Sequence, residues 1–586
     1  MTGIPLAPDR PAGKSGDKFK LGDFAIDEYR PIKVVAIGAG FSGIIAGIRF
    51  PQRIQNIDFT NYEKNAGVGG TWYLNKYPGV ACDIPSHCYQ LTFEENTDWS
   101  AFYSPGSEIL AYLERVVDKY KLMRYIKLQH ELIHARYDEP SAKWHLRLRR
   151  PAINSDSTAG IHFEEFEDTA DILFTGLGSL SQWTWPDIAG LNEFKGTVLH
   201  TAQWDESVQD WGTKKVGVIG VGSSAIQIVP ALQPKVAHLF NYVRGKTWIA
   251  SPFAIAKLAA LTHDSKSDNY SFTDADKKAF KDREYYKAFR HDLEAHIHTA
   301  YPVVLRGSAL QQWAQKAFKQ SMINKLEKKP WISDHLVPDF SVGCRRATPG
   351  PGYLDSLTRD NVDFISTPIK RITATGIETI DGHHQELDAI VCATGFDTTF
   401  QLPFPFIGRA GVSLQDAYKP HPITYLSVCV PGFPNWFQAL GPNSAVSSGS
   451  LMVILERQIE YAIKATLKLQ RERLKSIEVK KEAAQDYDEY IEHYFPTTVY
   501  SEKCRSWYKM GKEEGRVTGL WPGSCLHALR VLEHPRWEDF DYEPLNEIKN
   551  RFHWLGDGQT YNDKTKTGDR AWYLRDSEVD IPPSKL

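Results

Sequence analysis

The stretch Ile32-Lys33-Val34-Val35-Ala36-Ile37-Gly38-Ala39-Gly40-Phe41-Ser42-Gly43 decides the fold. Its first six residues are mostly β-branched and apolar, as expected of a strand buried on both faces of a parallel sheet. They run directly into a Gly-x-Gly-x-x-Gly turn. In a dinucleotide fold Gly38 permits the tight turn and Gly40, next to Phe41 and Ser42, lets the backbone approach a pyrophosphate. Gly43 lets the following helix, whose amino end faces the phosphates, pack close to the strand. A second strand is expected over residues 57–62, and Glu63 ends it. A carboxylate 20 residues beyond Gly43 suits a two-point grip on a ribose diol. A glycine pattern alone is as often an ordinary turn. Strand, glycines, helix, strand and acid together are not.

The pattern returns downstream. Lys215 to Ile219 reads as a strand, and Gly220-Val221-Gly222-Ser223-Ser224-Ala225 as its turn, with Ala225 in the place of the third glycine. The strand expected over 238–243 ends in Arg244, where the first repeat has Glu63. A carboxylate there favours the free 2′-hydroxyl of NAD, whereas a guanidinium chelates the 2′-phosphate of NADP, and Lys246 adds charge beside it. The plainer reading of Arg244 is a solvated surface arginine. Buried strands are also expected over 171–176 and 389–394, a helix over 107–120 and a small antiparallel layer over 128–135 and 144–148. The fold class is α/β, with two Rossmann-like, three-layer dinucleotide-binding domains.

The rest of the chain narrows the partners. Its 586 residues exceed one ordinary core, and a formal charge of −3 without blocks of like charge gives no general attraction to nucleic acid or anionic membrane. No apolar run approaches the ~18 residues needed for a membrane span. The first 30 residues are polar and lack the pattern of a signal peptide, which makes the cytoplasm the expected location. Seven scattered cysteines are not a disulfide framework, and none forms Cys-x-x-Cys, which argues against a thioredoxin-reductase-like enzyme. Cys82 and Cys88 have no second ligand pair, so no metal site is expected.

Two further motifs carry chemistry. Phe194-Lys-Gly196-Thr-Val-Leu-His200-Thr-Ala-Gln-Trp204-Asp205 lies between the two glycine turns, where a linker can report the state of one nucleotide site to the other. Gly69-Gly70-Thr71-Trp72 continues through Tyr77-Pro78-Gly79 to Asp83. Both resemble the motifs of type I Baeyer–Villiger monooxygenases, the class B flavin-dependent monooxygenases, with a fungal-type subfamily as one option. The resemblance spans roughly residues 32–521.

It implies an NADP domain inserted in an FAD domain: an amino-terminal arm 1–30, FAD segments 31–183 and 391–586 (the latter with the tail), and an NADP segment 184–390 with a helical insertion at about 250–340. It implies FAD contacts from Gly38, Gly40, Phe41, Ser42, Gly43, Glu63, Gly70, Thr71, Trp72, Asp83, Tyr89, the backbone of Leu132, and Asn443. It implies NADP contacts from Gly220, Gly222, Ser223, Ser224, Arg244, Lys246, Arg345 and Trp507. In Gly343-Cys344-Arg345-Arg346, the second arginine takes the catalytic place, with Asp83 near it, while His200 and Trp204 couple the domains. The bland readings are a surface charge cluster for Arg345 and Arg346, a surface turn for Asp83, core packing for Trp72 and Trp507, and a satisfied core histidine for His200.

The implied reaction consumes NADPH and molecular oxygen. It converts a ketone to an ester or lactone through a flavin peroxyanion. A heteroatom-oxidising flavin monooxygenase is the competing enzyme. Relatives of that kind carry Tyr or Phe at the place of Trp204. A nucleotide-sensing regulatory flavoprotein is the non-catalytic alternative, against which Asp83 and Arg346 both stand. A monomer or small homo-oligomer is expected.

Overall fold

The computed structural model describes residues 19–152, 162–264, 267–545, 550–575 and 578. Ile32–Ile37 lies at the centre of a five-stranded, all-parallel sheet. Its order is Trp436–Gln438, Ile172–Thr175, Ile32–Ile37, Ile57–Tyr62, Ile126–Lys127. Ile32 pairs with Ile57 and Ile37 with Tyr62, so both strands end at the same edge, just before Gly38 and Glu63. A second all-parallel sheet has the order Val362–Ile365, His238–Tyr242, Lys215–Ile219, Ala389–Cys392, Thr197–His200. Apart from half-buried Lys33 and exposed Lys215, the residues of both central strands are almost fully buried, which explains their mostly apolar composition.

The antiparallel layer is larger than expected. Glu131–Asp138 pairs with Lys143–Pro151, and a third strand, Phe163–Ala170, pairs with the latter. That third strand reads Phe-Glu-Glu-Phe-Glu-Asp-Thr-Ala, and its acids conceal it because they are poor strand formers. On Lys143–Pro151 burial alternates, with Trp144, Leu146 and Leu148 turned into the core.

The expected insertion is helical, with Ile255–Thr262, Asp274–Ala279, Arg283–His298, Ala309–Lys325 and Ile332–Leu336. It packs two ways. Leu258, Tyr286, Leu293 and Ile297 join the core around the first sheet, while Ala314, Met322, Ile332 and Leu336 join that of the second. The insertion therefore ties the two cores together.

Of the expected arm, residues 1–18 lie outside the described residues. The remainder is clasped by the tail: Ile26 N donates to Gln559 O at 3.0 Å, and Asp557 N donates to Phe24 O at 3.0 Å. The tail also supplies a strand, Phe540–Pro544, antiparallel to Leu474–Val479.

One expectation is corrected. Cys344 and Cys504 form a disulfide across a sequence separation of 160, while Cys82, Cys88, Cys392, Cys429 and Cys525 are buried free thiols. Spacing gave no sign of the bond because its partners come from distant loops that meet only in the fold. No described helix is long and apolar enough to cross a membrane.

Candidate active site

The first glycine turn is tight. Gly38 has φ +100°, and a Cβ there would lie 2.7 Å from Gly176 O; one on Gly43 would lie 1.7 Å from Gly38 O. Backbone contact that close excludes any side chain at Gly43. Gly70, at φ +55°, brings its backbone against Gly40, where a Cβ would lie 3.5 Å from Gly70 Cα. Glu63 is buried, and its Oε2 accepts from Ala39 N at 2.7 Å, while Oε1 accepts from Asn65 N at 2.8 Å and Asn65 Nδ2 at 2.6 Å. The acid thus braces the turn as well as facing it. Thr71 opens the short helix Thr71–Leu74, Trp72 packs edge-on to Tyr89 at 5.5 Å, and Tyr89 packs edge-on to Phe41 at 5.4 Å. Ser42 is buried in the turn, and Leu132 is buried in the antiparallel layer.

The segment leading to Asp83 is also the contact between the two folds. Tyr77 Oη donates to Gln227 Oε1 at 2.8 Å, and Gln227 Nε2 donates to Ala81 O at 2.9 Å. Gly79 has φ +84°, and a Cβ there would lie 2.7 Å from Gln227 O. The aromatic-Pro-Gly motif is thus explained by close packing on the helix Ser223–Leu232. Sequence reasoning passed over Gln227, which carries no motif of its own.

The second turn is looser. Gly220 has φ +129° and faces Ala393 O as Gly38 faces Gly176 O, but a Cβ on Gly222 meets nothing within 4 Å, and Ala225 is fully buried with its methyl accommodated. Ser223 Oγ and Thr348 Oγ1 share a 2.9 Å hydrogen bond, and half-buried Ser224 lies near Tyr77. Arg244 is exposed, Lys246 Nζ lies 3.0 Å from Asp339 Oδ2, and Arg345 Nη1 donates to Lys246 O at 2.8 Å. Burial holds the Arg345 pKa below the usual arginine range, and nearby Arg505 lowers it further. Arg505 thus joins a basic group that the sequence had limited to Arg244, Lys246 and Arg345. Its only local signal was its position two residues before Trp507.

Between the two turns Arg346 meets Asp83. Arg346 Nη2 lies 2.7 Å from Asp83 Oδ2 and 2.8 Å from Oδ1, and Nε lies 3.2 Å from Oδ2. The Arg346 side chain is 29% exposed and that of Asp83 18%. Attraction to Asp83 raises the arginine pKa further, so the cation does not titrate. Burial raises the Tyr508 pKa and the charge of Arg346 opposes that rise, and the Arg346 guanidinium lies 6.0 Å from the centroid of Phe253. Trp507 packs edge-on to Tyr508 at 4.6 Å, with Gly519 beneath its ring: a Cβ there would lie 2.9 Å from Trp507 Cζ3.

His200 is fully buried. Its ring stacks on Trp183 at 4.3 Å and meets the edge of Trp185 at 5.8 Å. Nδ1 accepts from Ala202 N at 3.1 Å, which puts the proton on Nε2, 3.2 Å from Thr394 Oγ1. Burial lowers its pKa to about 4, so the ring is neutral at physiological pH. It touches both chain crossings between the sheets, one through Trp183 and the other through Thr394. Trp204 stacks on Trp211 at 5.9 Å, beside an exposed Asp205. Asn443 is almost fully buried and engaged on every side: Nδ2 donates to Val517 O and Leu520 O, both at 2.9 Å, its backbone N–H donates to Thr518 O at 2.6 Å, and its backbone O accepts from Ser427 Oγ at 2.6 Å. Among the described residues no group of three or more acids, histidines and cysteines is placed to hold a metal ion.

Two nucleotide turns with a carboxylate-held cation between them define a two-nucleotide oxidoreductase. Residues 37–105 match a model described as an NAD(P)-binding Rossmann-like domain. An FAD-binding monooxygenase of Aspergillus terreus, tazF, is 38% identical over 550 residues, covering 93% of this chain and 95% of that protein. A Baeyer–Villiger monooxygenase of Pseudomonas aeruginosa is 34% identical over 498 residues, covering 84% and 88%. Among solved structures, oxidized steroid monooxygenase bound to NADP aligns at 28% identity and TM-score 0.73, covering 88% of this chain and 100% of that one. Cyclohexanone monooxygenase from Rhodococcus sp. Phi1 bound to NADP+ aligns at 26% and 0.74, with the same coverage. The chain belongs to the FAD-dependent monooxygenases of Baeyer–Villiger type.

Proposed function

We propose that this enzyme binds FAD at the first turn, takes hydride from NADPH at the second, and inserts one atom of molecular oxygen beside a ketone carbonyl, giving an ester or lactone and water. The Arg346–Asp83 pair carries this reading. Bound FAD, once reduced, supplies the oxygen activation. The glycine cradle suits a pyrophosphate, since Gly38, Gly40, Gly43 and Gly70 keep side chains from the backbone that would face it. Phe41, Ser42, Glu63, Thr71, Trp72, Tyr89, Leu132 and Asn443 complete the FAD group, and Gly220, Gly222, Ser223, Ser224, Arg244, Lys246, Arg345 and Trp507 the NADP group. Residues 31–183 and 391–586 form the FAD part and 184–390 the NADP part.

Arg346 presents a permanent positive charge where an anionic oxygen develops, and a fixed cation in a half-buried site stabilises it without reorganising. Asp83 holds that charge in place through both carboxylate oxygens. His200, neutral and pinned to both crossings, couples the two nucleotide parts, with Trp204 beside it. Orientation and charge are the protein's contribution.

Incubation of the FAD-loaded protein with NADPH, oxygen and a panel of linear, cyclic and polycyclic ketones tests the reading, with a thioether and a tertiary amine alongside. Esters or lactones are expected. A preparation that yields sulfoxide or amine oxide and never an ester would overturn it in favour of heteroatom oxidation.

A further inference from the structure

The geometry points to Phe253 as the residue that limits how much bulk a ketone can carry beside its carbonyl, and to Tyr103 as the positioning residue that holds the Phe253 ring at Arg346. The inference rests on the reading of Arg346 above and extends it to the substrate.

Asp83 takes Nε and Nη2 along one edge of the Arg346 guanidinium, so a carbonyl oxygen approaches through the donors that remain. With that oxygen about 2.9 Å from a guanidinium nitrogen, the carbons flanking the carbonyl lie about as far from the cation as the Phe253 ring does, whose centroid is at 6.0 Å. A substituent on that side therefore competes with the ring for the same space. The half-buried ring leaves the charge intact, because an aromatic face attracts a cation without neutralising it.

Contacts close a circuit around the pair. Tyr103 is buried, and its Oη donates to Phe253 O. Asn269, from the helical insertion, clasps the Tyr103 backbone: Tyr103 N donates to Asn269 Oδ1 at 3.0 Å, and Asn269 Nδ2 donates to Tyr103 O at 3.1 Å. Beside the clasp, Phe102 N donates to Tyr270 O at 2.8 Å and Phe272 N to Ser100 O at 2.9 Å. On the other side lies buried Ser86, in the segment that carries Asp83. Its N donates to Phe102 O at 2.8 Å, and its Oγ accepts from Ser104 N at 2.8 Å. The path thus runs from Asp83 through Ser86, Tyr103 and Phe253 to Arg346, which Asp83 itself holds. The chain is also fixed on either side of Phe253. Ile249–Ala250 runs parallel to Thr348–Pro349, just past Arg346. Ala254 has φ +57°, a left-handed conformation that a non-glycine residue keeps only where its surroundings impose it.

The test measures kcat and KM of the FAD-loaded enzyme for two ketones, one unbranched and one with a bulky branch next to the carbonyl. Thioethers of matched bulk replace them if only sulfur is oxidised. Phe253→Ala is expected to raise kcat/KM for the branched ketone relative to the unbranched one about tenfold, the scale of a small change in an apolar pocket. The KM for NADPH should stay within about twofold, as the ring is not assigned to the nucleotide. Tyr103→Phe removes the hydroxyl and keeps the ring. It should move the same ratio in the same direction by a smaller factor, and no further in a Phe253→Ala background. A hydroxyl with only a structural role would lower both ketones alike, in both backgrounds. If Tyr103→Phe does not fold, Asn269→Asp, which keeps the acceptor and loses the donor, takes its place. In the FAD-free protein, Arg346 should react several-fold faster with phenylglyoxal in Phe253→Ala, read by peptide mapping. An unchanged ketone ratio in Phe253→Ala overturns the role of Phe253, and equal shifts from Tyr103→Phe with and without the ring overturn that of Tyr103. Arg346→Ala separates the two claims: full ester yield from it removes the reading of Arg346, whereas its collapse beside an unchanged ratio in Phe253→Ala removes only this inference.

Discussion

The two glycine turns share a backbone path and differ in tightness. At the first, the third glycine has no room for a methyl and the acid that follows is buried and braced. At the second, Ala225 fits where the third glycine would stand, Gly222 opens on space, and the basic residue that follows is exposed. A close, buried site suits a cofactor that stays; an open one with exposed cations suits a nucleotide that exchanges. On the proposed assignment of FAD to the first turn and NADPH to the second, the same fold serves retention and turnover through a few side chains.

Gly43→Ala tests the comparison most severely. It is expected to abolish FAD retention, seen as loss of the yellow chromophore through gel filtration, because the added Cβ meets Gly38 O. The mirror change Ala225→Gly should cost about 1 kcal/mol or less in an unfolding titration and leave FAD bound. Equal tolerance at both sites would end the distinction.

Arg346→Ala strikes where the two sites meet. Removing one preorganised charge contact costs ~2.7–4 kcal/mol, so ester formation should drop by two to three decades. NADPH oxidation should continue, with hydrogen peroxide as the product. Asp83→Ala should cost less, and the double variant little more than Arg346→Ala alone, since the two act as a unit.

His200 lies between the two regions, and its test is pH. Its pKa falls from 6.5 to about 4 on folding. The folded state therefore binds fewer protons than the unfolded one between those values. The contribution is fully present above pH 6.5 and lost as pH falls through 4, amounting to about 3 kcal/mol. His200→Gln should flatten that part of the stability profile. Because His87 is also held low, to about 3, some acid sensitivity should persist.

The smallest effect is expected at the open site. Arg244→Ala should weaken NADPH about tenfold and leave NADH and FAD unchanged, which is the worth of one exposed phosphate contact. Steady-state KM values for both nucleotides check it. Unequal loss of FAD would show that the two sites are not separable.

Much of this architecture was legible before any coordinates. The strands at Ile32 and Lys215 announce themselves by unbroken apolar runs into glycine, a local pattern. Asp83 and Arg346, 263 residues apart, came together through motif resemblance, and no spacing rule would have paired them. Gln227 and Arg505 were passed over because each acts through a partner far away in the chain and neither has an unusual neighbourhood in sequence. Phe163–Ala170 was hidden by its acids, and the disulfide by the distance between its halves.

That disulfide gives the protein a history. A chain matured in air and one kept under dithiol share sequence and cofactors, yet only the first has the arginine loop stapled to the Trp507–Tyr508 segment. Two preparations of equal purity then differ in this one bond, and the choice of storage buffer becomes a variable to hold fixed in kinetic measurements. It bears on the compartment too: cytosolic thiols are usually kept reduced, so the form that works in the cell depends on where the chain resides.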